Sequence, residues 1–180
     1  MEVITRAQAI DPLSLINQLT VGRCHYLARR FDQAIAVFRS CLELEPRFFL
    51  TYSALARAYL MKEMFREALT ELERGMDLVG RLPVLLTYVG WAHAARGEHA
   101  KARAVLDELA EIGTGRYVPS IYTAQILAAL GELDEAFELY DLAYRQRSGW
   151  LVLMRGEPLW DRLRPDPRFR ELLRKMRLDF

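Results

Sequence analysis

The stretch RRFDQAIAVFRSCLELEP, residues 29–46, contains a small residue, Ala34, followed at spacings of four and three by Phe38 and Cys41. Residues three and four positions apart lie on one face of an α-helix, so this spacing predicts an amphipathic helix that ends before Pro46. A single helix does not explain why the same alanine returns at a fixed interval along the chain. That interval decides the fold.

The alanine recurs at every thirty-fourth residue, at Ala34, Ala68, Ala102 and Ala136. Other residue types share the 34-residue separation, namely the pairs Pro12 and Pro46, and Gly97 and Gly131. Independent markers that agree on one period predict internal repeats, in which each repeat is one supersecondary unit and neighbouring units stack. The 34-residue repeat is therefore the structural unit that the sequence predicts.

Composition limits the class of protein. The chain has 180 residues, of which 52% are hydrophobic and 27% charged, as in a folded globular protein. Strands with alternating β-branched residues are absent from the pattern, which predicts an all-α fold. A net charge of +1 favours neither nucleic acid nor an acidic membrane as a partner. No apolar run is long enough for a membrane span or a secretory signal, and two cysteines, Cys24 and Cys41, fit a reducing cytoplasm.

The repeats resemble those of the tetratricopeptide repeat (TPR) family. With units counted from Leu15, Phe49, Pro83 and Tyr117, the small residue at position 8 is Gly22, Ala56, Gly90 and Ala124, and position 20 is the alanine series. Position 24, usually aromatic, is Phe38, Leu72, Leu106 and Tyr140, and position 27 is Cys41, Gly75, Leu109 and Ala143. The closing proline of the family is present only at Pro46. The resemblance implies a right-handed superhelical solenoid of antiparallel helix pairs.

The register predicts four units, residues 15–48, 49–82, 83–116 and 117–148. First helices are expected near 15–29, 49–62, 83–96 and 118–130, and second helices near 32–45, 65–79, 99–112 and 133–147. Gly113 and Gly115 are expected to end a helix in the left-handed conformation. Residues 1–12 resemble the remnant of a preceding repeat helix. Residues 149–180 are predicted to cap the array, with a short apolar helix from Trp150 and a last helix over 167–177.

Residues that could carry catalysis are sparse. His25 and His93 occupy position 11, where the family has an aromatic residue, and no cysteine or second histidine lies at metal-ligand spacing. The carboxylates of DELAE (107–111) are interpreted as a solvated helix face, and no serine lies in a nucleophile elbow. The sequence therefore predicts no enzyme activity, no cofactor and no metal site.

The family resemblance implies a binding groove lined by first-helix positions 2, 5, 9, 12 and 13. Carried over by register, the candidate residues are Arg23, Tyr26, Ser53, Arg57, Thr87, Trp91 and Gln125. Arg23 and Arg57 are expected to pair with a carboxylate of the partner, and Trp91 to form an apolar pocket. The alternative is that the chain's own C-terminal segment fills the groove and Trp91 is a core residue. The Lys/Asn carboxylate clamp of chaperone-binding members is absent from these positions.

Two functions follow from the resemblance. The first is a non-catalytic, cytoplasmic scaffold that binds a protein or peptide segment in the groove, with neither nucleic acid nor membrane as a partner. The second is an oligomerisation or regulatory module at the C-terminus of a larger bacterial signalling enzyme or transcription regulator, since the tail resembles the ends of bacterial multidomain proteins. In this case the half-repeat at residues 1–12 pairs with another copy to form a homo-oligomer.

Overall fold

The computed structural model describes residues 14–179, so the expected half-repeat at residues 1–12 lies outside the described residues. The chain divides into two compact units, Met1–Arg81 (unit 1) and Leu82–Phe180 (unit 2). The part of the chain described contains α-helices and 3₁₀ turns and no β-strand. The all-α fold class predicted from the sequence is confirmed.

Unit 1 consists of two successive helix pairs. The first pair is α1 (Leu15–Leu27) and α2 (Phe31–Leu44), and the second pair is α3 (Phe49–Met61) and α4 (Phe65–Val79). Each helix packs on the next in the chain, and α1 also contacts α3, so the two first helices are neighbours. Connections of three to four residues leave room only for antiparallel partners.

Unit 2 repeats this plan and adds a C-terminal segment. Its helix pairs are α5 (Pro83–Ala95) with α6 (His99–Gly115), and α7 (Ser120–Leu130) with α8 (Leu133–Arg145). The first helices α5 and α7 pack on each other, as do α6 and α7. After α8 the chain forms 3₁₀ turns at Gly149–Leu153 and Pro158–Leu163, followed by α9 (Pro167–Lys175). Successive helix pairs of this kind match a TPR helical solenoid.

The small residues of the repeat lie where helices approach most closely. All four alanines of the 34-residue series are fully buried, at 0% exposure. Position 8 shows how little space is left: a methyl group added to Gly22 would lie 2.2 Å from the ring of Phe38, and one added to Gly90 would lie 2.5 Å from Ile126. Both distances are far below van der Waals contact, so alanine at either position would force the neighbouring side chain to shift.

The turn inside each helix pair has the same backbone conformation in every repeat. The residue with positive φ lies at Arg29, Glu63, Gly97 and Gly131, each 34 residues after the last. Glycine adopts this left-handed conformation without steric cost, whereas arginine and glutamate do so at a cost of roughly 1–2 kcal/mol. The repeat geometry therefore dictates the turn even where the sequence does not supply the best residue.

Two local expectations are wrong. Helix α6 continues through Gly113 to Gly115, and neither glycine has positive φ; the helix ends at the extended Arg116 instead. The apolar helix expected from Trp150 is replaced by the two 3₁₀ turns, and the last helix ends at Lys175 rather than at 177. Pro158 and Gly156 interrupt this apolar stretch, which prevents one continuous α-helix from forming.

The C-terminal segment shares one apolar core with the last helix pair. Leu151, Met154 and Trp160 from the 3₁₀ turns and Phe169 from α9 are buried together with Tyr140 and other residues of α7 and α8. Burial of several large side chains stabilises this arrangement, at about 1.5–3 kcal/mol for each one fully buried. The segment from residue 149 onward is thus an integral part of unit 2.

We predict that Gly22→Ala lowers the free energy of unfolding by about 1–3 kcal/mol, because the new methyl group has to displace the buried ring of Phe38. Urea denaturation followed by circular dichroism measures the change. Gly113→Ala is the control, since this glycine lies within α6 with no atom within 4 Å of the added methyl. Alanine there should raise stability by about 0.5–1 kcal/mol. Equal effects at both positions would contradict the close packing described.

Candidate functional site

In unit 1 the candidate residues lie on the first helices of its two pairs. Arg23 and Tyr26 are on α1, and Ser53 and Arg57 are on α3. The spacings of three and four place each pair on one face of its helix. We call the surface formed by Ile16, Arg23, Tyr26, Leu50, Ser53 and Arg57 the unit 1 face.

Arg57 is held over an aromatic ring of the neighbouring repeat. Its guanidinium carbon lies 5.2 Å from the ring centroid of Tyr26, which is buried and itself packs against Phe31 at 5.8 Å. A guanidinium within about 6 Å of an aromatic face is attracted by the ring and loses mobility. This contact joins two residues that the sequence predicted to belong to one site, and it fixes the direction of the Arg57 side chain.

The rest of the unit 1 face combines charge with apolar surface. Arg23 is exposed, and the Ser53 hydroxyl donates a hydrogen bond of 2.9 Å to the carbonyl of Leu50. Ile16 and Leu50, which both occupy position 2 of their repeats, are 59% and 40% exposed. The face thus has two arginines at position 9 of their repeats and exposed apolar side chains two helical turns before them, an arrangement suited to a segment with an acidic residue and apolar residues to one side of it.

In unit 2 the candidate residues are covered. Thr87 is buried, and its hydroxyl donates a hydrogen bond of 2.8 Å to the carbonyl of Pro83. Trp91 is only 6% exposed, with the guanidinium carbon of Arg162 at 5.9 Å from its ring centroid. Gln125 is half-buried and lines, together with Trp91, a small cavity of about 20 Å³. A cavity of this size does not admit the side chain of a partner.

The second 3₁₀ turn covers Trp91 and Gln125. Leu159, Trp160, Arg162 and Leu163 form the opposite wall of the small cavity. The Trp160 indole N–H donates a buried hydrogen bond of 3.0 Å to the hydroxyl of Tyr140, and burial raises the pKa of that hydroxyl well above its ordinary value. Near the first 3₁₀ turn, Trp150 packs against Tyr122 at 6.0 Å, and burial raises the pKa of Tyr122 to about 12. Both tyrosines therefore stay neutral at physiological pH.

The histidines take part in local contacts. His93 Nδ1 lies 2.6 Å from Glu98 Oε2, and this hydrogen bond lowers the pKa of Glu98. Burial, with the charge of Arg30, lowers the pKa of His25. Between residues 14 and 179, no three histidine, cysteine or acidic side chains come together as a metal site would require. No helix in this range has both the length and the apolar character needed to cross a bilayer.

Sequence reasoning missed the specific contacts made by the C-terminal segment, notably Arg162 over Trp91 and Trp160 with Tyr140. A signal for the second contact was present. Tyr140 is the one residue of the position-24 series that carries a hydroxyl, where Phe38, Leu72 and Leu106 are apolar. A hydroxyl at a core position needs a partner, and buried tryptophan N–H groups need an acceptor.

Successive two-helix units joined by short turns, with small residues at the helix crossings, define a helical-repeat protein. Comparison with known families is more specific: family models described as tetratricopeptide repeat match residues 19–48 and 85–108. These parts of the chain therefore contain tetratricopeptide repeats, as the 34-residue register predicts. The comparison with curated protein sequences finds no match.

Among solved structures, the chain is similar to YrrB, described as a TPR protein with an unusual peptide-binding site. The alignment covers 96% of this chain and 89% of YrrB, with 20% sequence identity and a TM-score of 0.55. At this level of identity, the structural similarity shows a shared fold and nothing more specific.

We predict that Tyr140→Phe lowers the free energy of unfolding by about 1–3 kcal/mol, because the Trp160 N–H loses its acceptor in a buried environment. The measurement is chemical denaturation followed by tryptophan fluorescence. Tyr144→Phe serves as the control: this hydroxyl is exposed and makes one hydrogen bond of 3.3 Å to the Lys175 carbonyl, so its loss should change stability by less than about 0.5 kcal/mol. A loss at Tyr140 no larger than at Tyr144 would contradict the anchoring role of the buried bond.

Proposed function

We propose that the protein is a non-catalytic scaffold that binds a segment of a partner protein on the unit 1 face. The observation that carries this proposal is the position of Arg57, whose guanidinium is held over Tyr26 in the neighbouring repeat. Exposed Arg23 and the exposed apolar residues at position 2 lie on the same helix faces. A cation held over an aromatic ring, with an exposed cation and apolar surface on the same face, is suited to recognising a carboxylate beside apolar residues.

The partner segment is defined by this chemistry. An aspartate or glutamate side chain pairs with Arg57 and Arg23, and apolar residues to one side of it pack on Ile16 and Leu50. Arginine supplies planar, bidentate donors to a carboxylate, which gives orientation as well as affinity. The proposal places binding in unit 1 because Trp91 and Gln125, the corresponding residues of unit 2, are covered by the chain's own C-terminal segment.

The similarity to tetratricopeptide repeat proteins supports protein or peptide binding as the general function. TPR proteins bind protein or peptide partners and are typically non-catalytic, and YrrB, which shares the fold, is described as having a peptide-binding site. The finer assignment, to the unit 1 face and to an acidic segment, rests on the side chains of this chain. A fold alone does not define a ligand, since one fold carries many functions.

The test uses peptides selected against the full chain from a random displayed library. We expect the selected sequences to share an aspartate or glutamate with apolar residues to one side of it. Arg57→Glu should weaken their binding by more than about tenfold, because it replaces an attractive charge pair with a repulsive one. Fluorescence anisotropy of a labelled peptide measures the affinity, and circular dichroism verifies that the variant is folded.

Arg66→Glu is the matched control. Arg66 is exposed on α4, outside the unit 1 face, and the substitution changes the net charge by the same amount. Its affinity for the selected peptide should equal that of the unchanged chain. If Arg66→Glu weakens binding as much as Arg57→Glu, or if selected peptides bind Arg57→Glu normally, the proposal is wrong.

A further inference from the structure

A second surface with binding character lies between α8 and α9 in unit 2. It is a groove of about 750 Å³. The α8 wall carries Asp134, Phe137, Glu138 and Asp141, and the α9 wall carries Arg168, Glu171, Leu172 and Lys175. Both sets have the spacing i, i+3, i+4 and i+7, so each forms one stripe along its helix.

An ion pair links α8 and α9 at each end of the groove. Arg168 NH1 lies 2.6 Å from Asp134 Oδ1, and Lys175 Nζ lies 2.8 Å from Asp141 Oδ1. In each pair the partners are 34 residues apart, which sets the register of α9 against α8. Arg168 is further fixed by Asp166 and by the ring of Phe137, whose centroid is 4.4 Å from the guanidinium carbon. The ends of the groove are therefore well defined.

In the middle of the groove, one of the two carboxylates has no cation beside it. The same offset of 34 residues places Glu138 opposite Leu172, and Phe137 opposite Glu171, so both central charges are carboxylates. Glu171 is bonded by Arg174 of its own helix, at 2.8 and 2.9 Å. Glu138 is exposed, and its carboxylate makes no hydrogen bond or ion pair within residues 14–179. Four carboxylates line the groove against two cations, so it carries an excess of negative charge.

We propose that this groove binds an arginine side chain of a partner protein segment. The guanidinium lies between Glu138 and Glu171, and its methylene groups lie over the small exposed parts of Phe137 and Leu172, which are 8% and 3% exposed. Arginine fits better than lysine because its planar group has five donors and can bond carboxylates on both walls at once. The cation also supplies the counter-charge that Glu138 lacks, while the ion pairs at the ends limit the length of segment that fits.

This proposal concerns α8 and α9 alone and does not depend on the unit 1 face. Its occupant has the opposite charge to the segment proposed for Arg57, so the two surfaces can be distinguished by the peptides they bind. A partner with an acidic and a basic segment would contact both surfaces, whereas a purely acidic partner would leave the groove between α8 and α9 empty.

The experiment is an NMR titration of the full ¹⁵N-labelled chain with the acetylated, amidated peptide Ala-Ala-Arg-Ala-Ala. We expect chemical-shift changes in the backbone amides around residues 137–138 and 171–172, and weaker binding at higher salt concentration. Glu138→Gln should weaken the binding about fivefold, the effect of losing one exposed charge pair. The same peptide with lysine should bind more weakly, and with glutamate it should produce no shifts there.

Glu135→Gln is the matched control, since Glu135 is exposed on α8 but does not line the groove. It makes the same change in net charge and should leave the affinity unchanged. Shift changes confined to other parts of the chain would overturn the proposal. Equal weakening by Glu135→Gln and Glu138→Gln would also overturn it, because it would show attraction by the general charge of α8 rather than a site.

Discussion

The close approach of helices at the small residues of each repeat is the constraint on which the structure depends. The four alanines at position 20 are completely buried, and position 8 leaves no space for even a methyl group at Gly22 or Gly90. Helices packed this closely have little freedom in their crossing geometry, because interdigitated side chains cannot slide without clashes. The small residues recur every 34 residues because each repeat has the same close helix crossing. The same repeat geometry fixes the turn conformation at Glu63, where glutamate adopts positive φ.

Packing also determines which surfaces remain accessible to a partner. In unit 2 the C-terminal 3₁₀ turns lie against α7 and α8 and share their core, and Trp160 bonds to Tyr140 inside it. They cover Trp91 and Gln125, positions that by register belong to a groove. In unit 1 the equivalent positions carry Arg23 and Arg57, beside exposed apolar side chains. A repeated architecture thus presents different surfaces in its two units, because the residues at equivalent positions and the segments that pack on them differ.

The fold was predictable from the sequence because a period of 34 residues repeats the same signals four times. The helices expected near 65–79 and 83–96 appear as Phe65–Val79 and Pro83–Ala95. Residues outside the repeat were harder to predict. The apolar stretch after Trp150 has no periodicity that distinguishes an α-helix from 3₁₀ turns, and the course of α6 through Gly113 depends on packing rather than propensity. For the site, register assigned Tyr26 and Arg57 to one face without predicting the contact between them, and the contact of Arg162 with Trp91 joins residues with no sequence relationship.

We propose that a partner segment binds across the first helices of unit 1. Photo-crosslinking can locate such a segment on the surface of the chain. A photoreactive amino acid is placed at position 53, on the unit 1 face beside Arg57, and in a second variant at position 70, which is exposed on α4. If the peptide binds on the unit 1 face, it should be crosslinked efficiently from position 53 and weakly from position 70. Crosslinking from position 70 that equals or exceeds that from position 53 would contradict it.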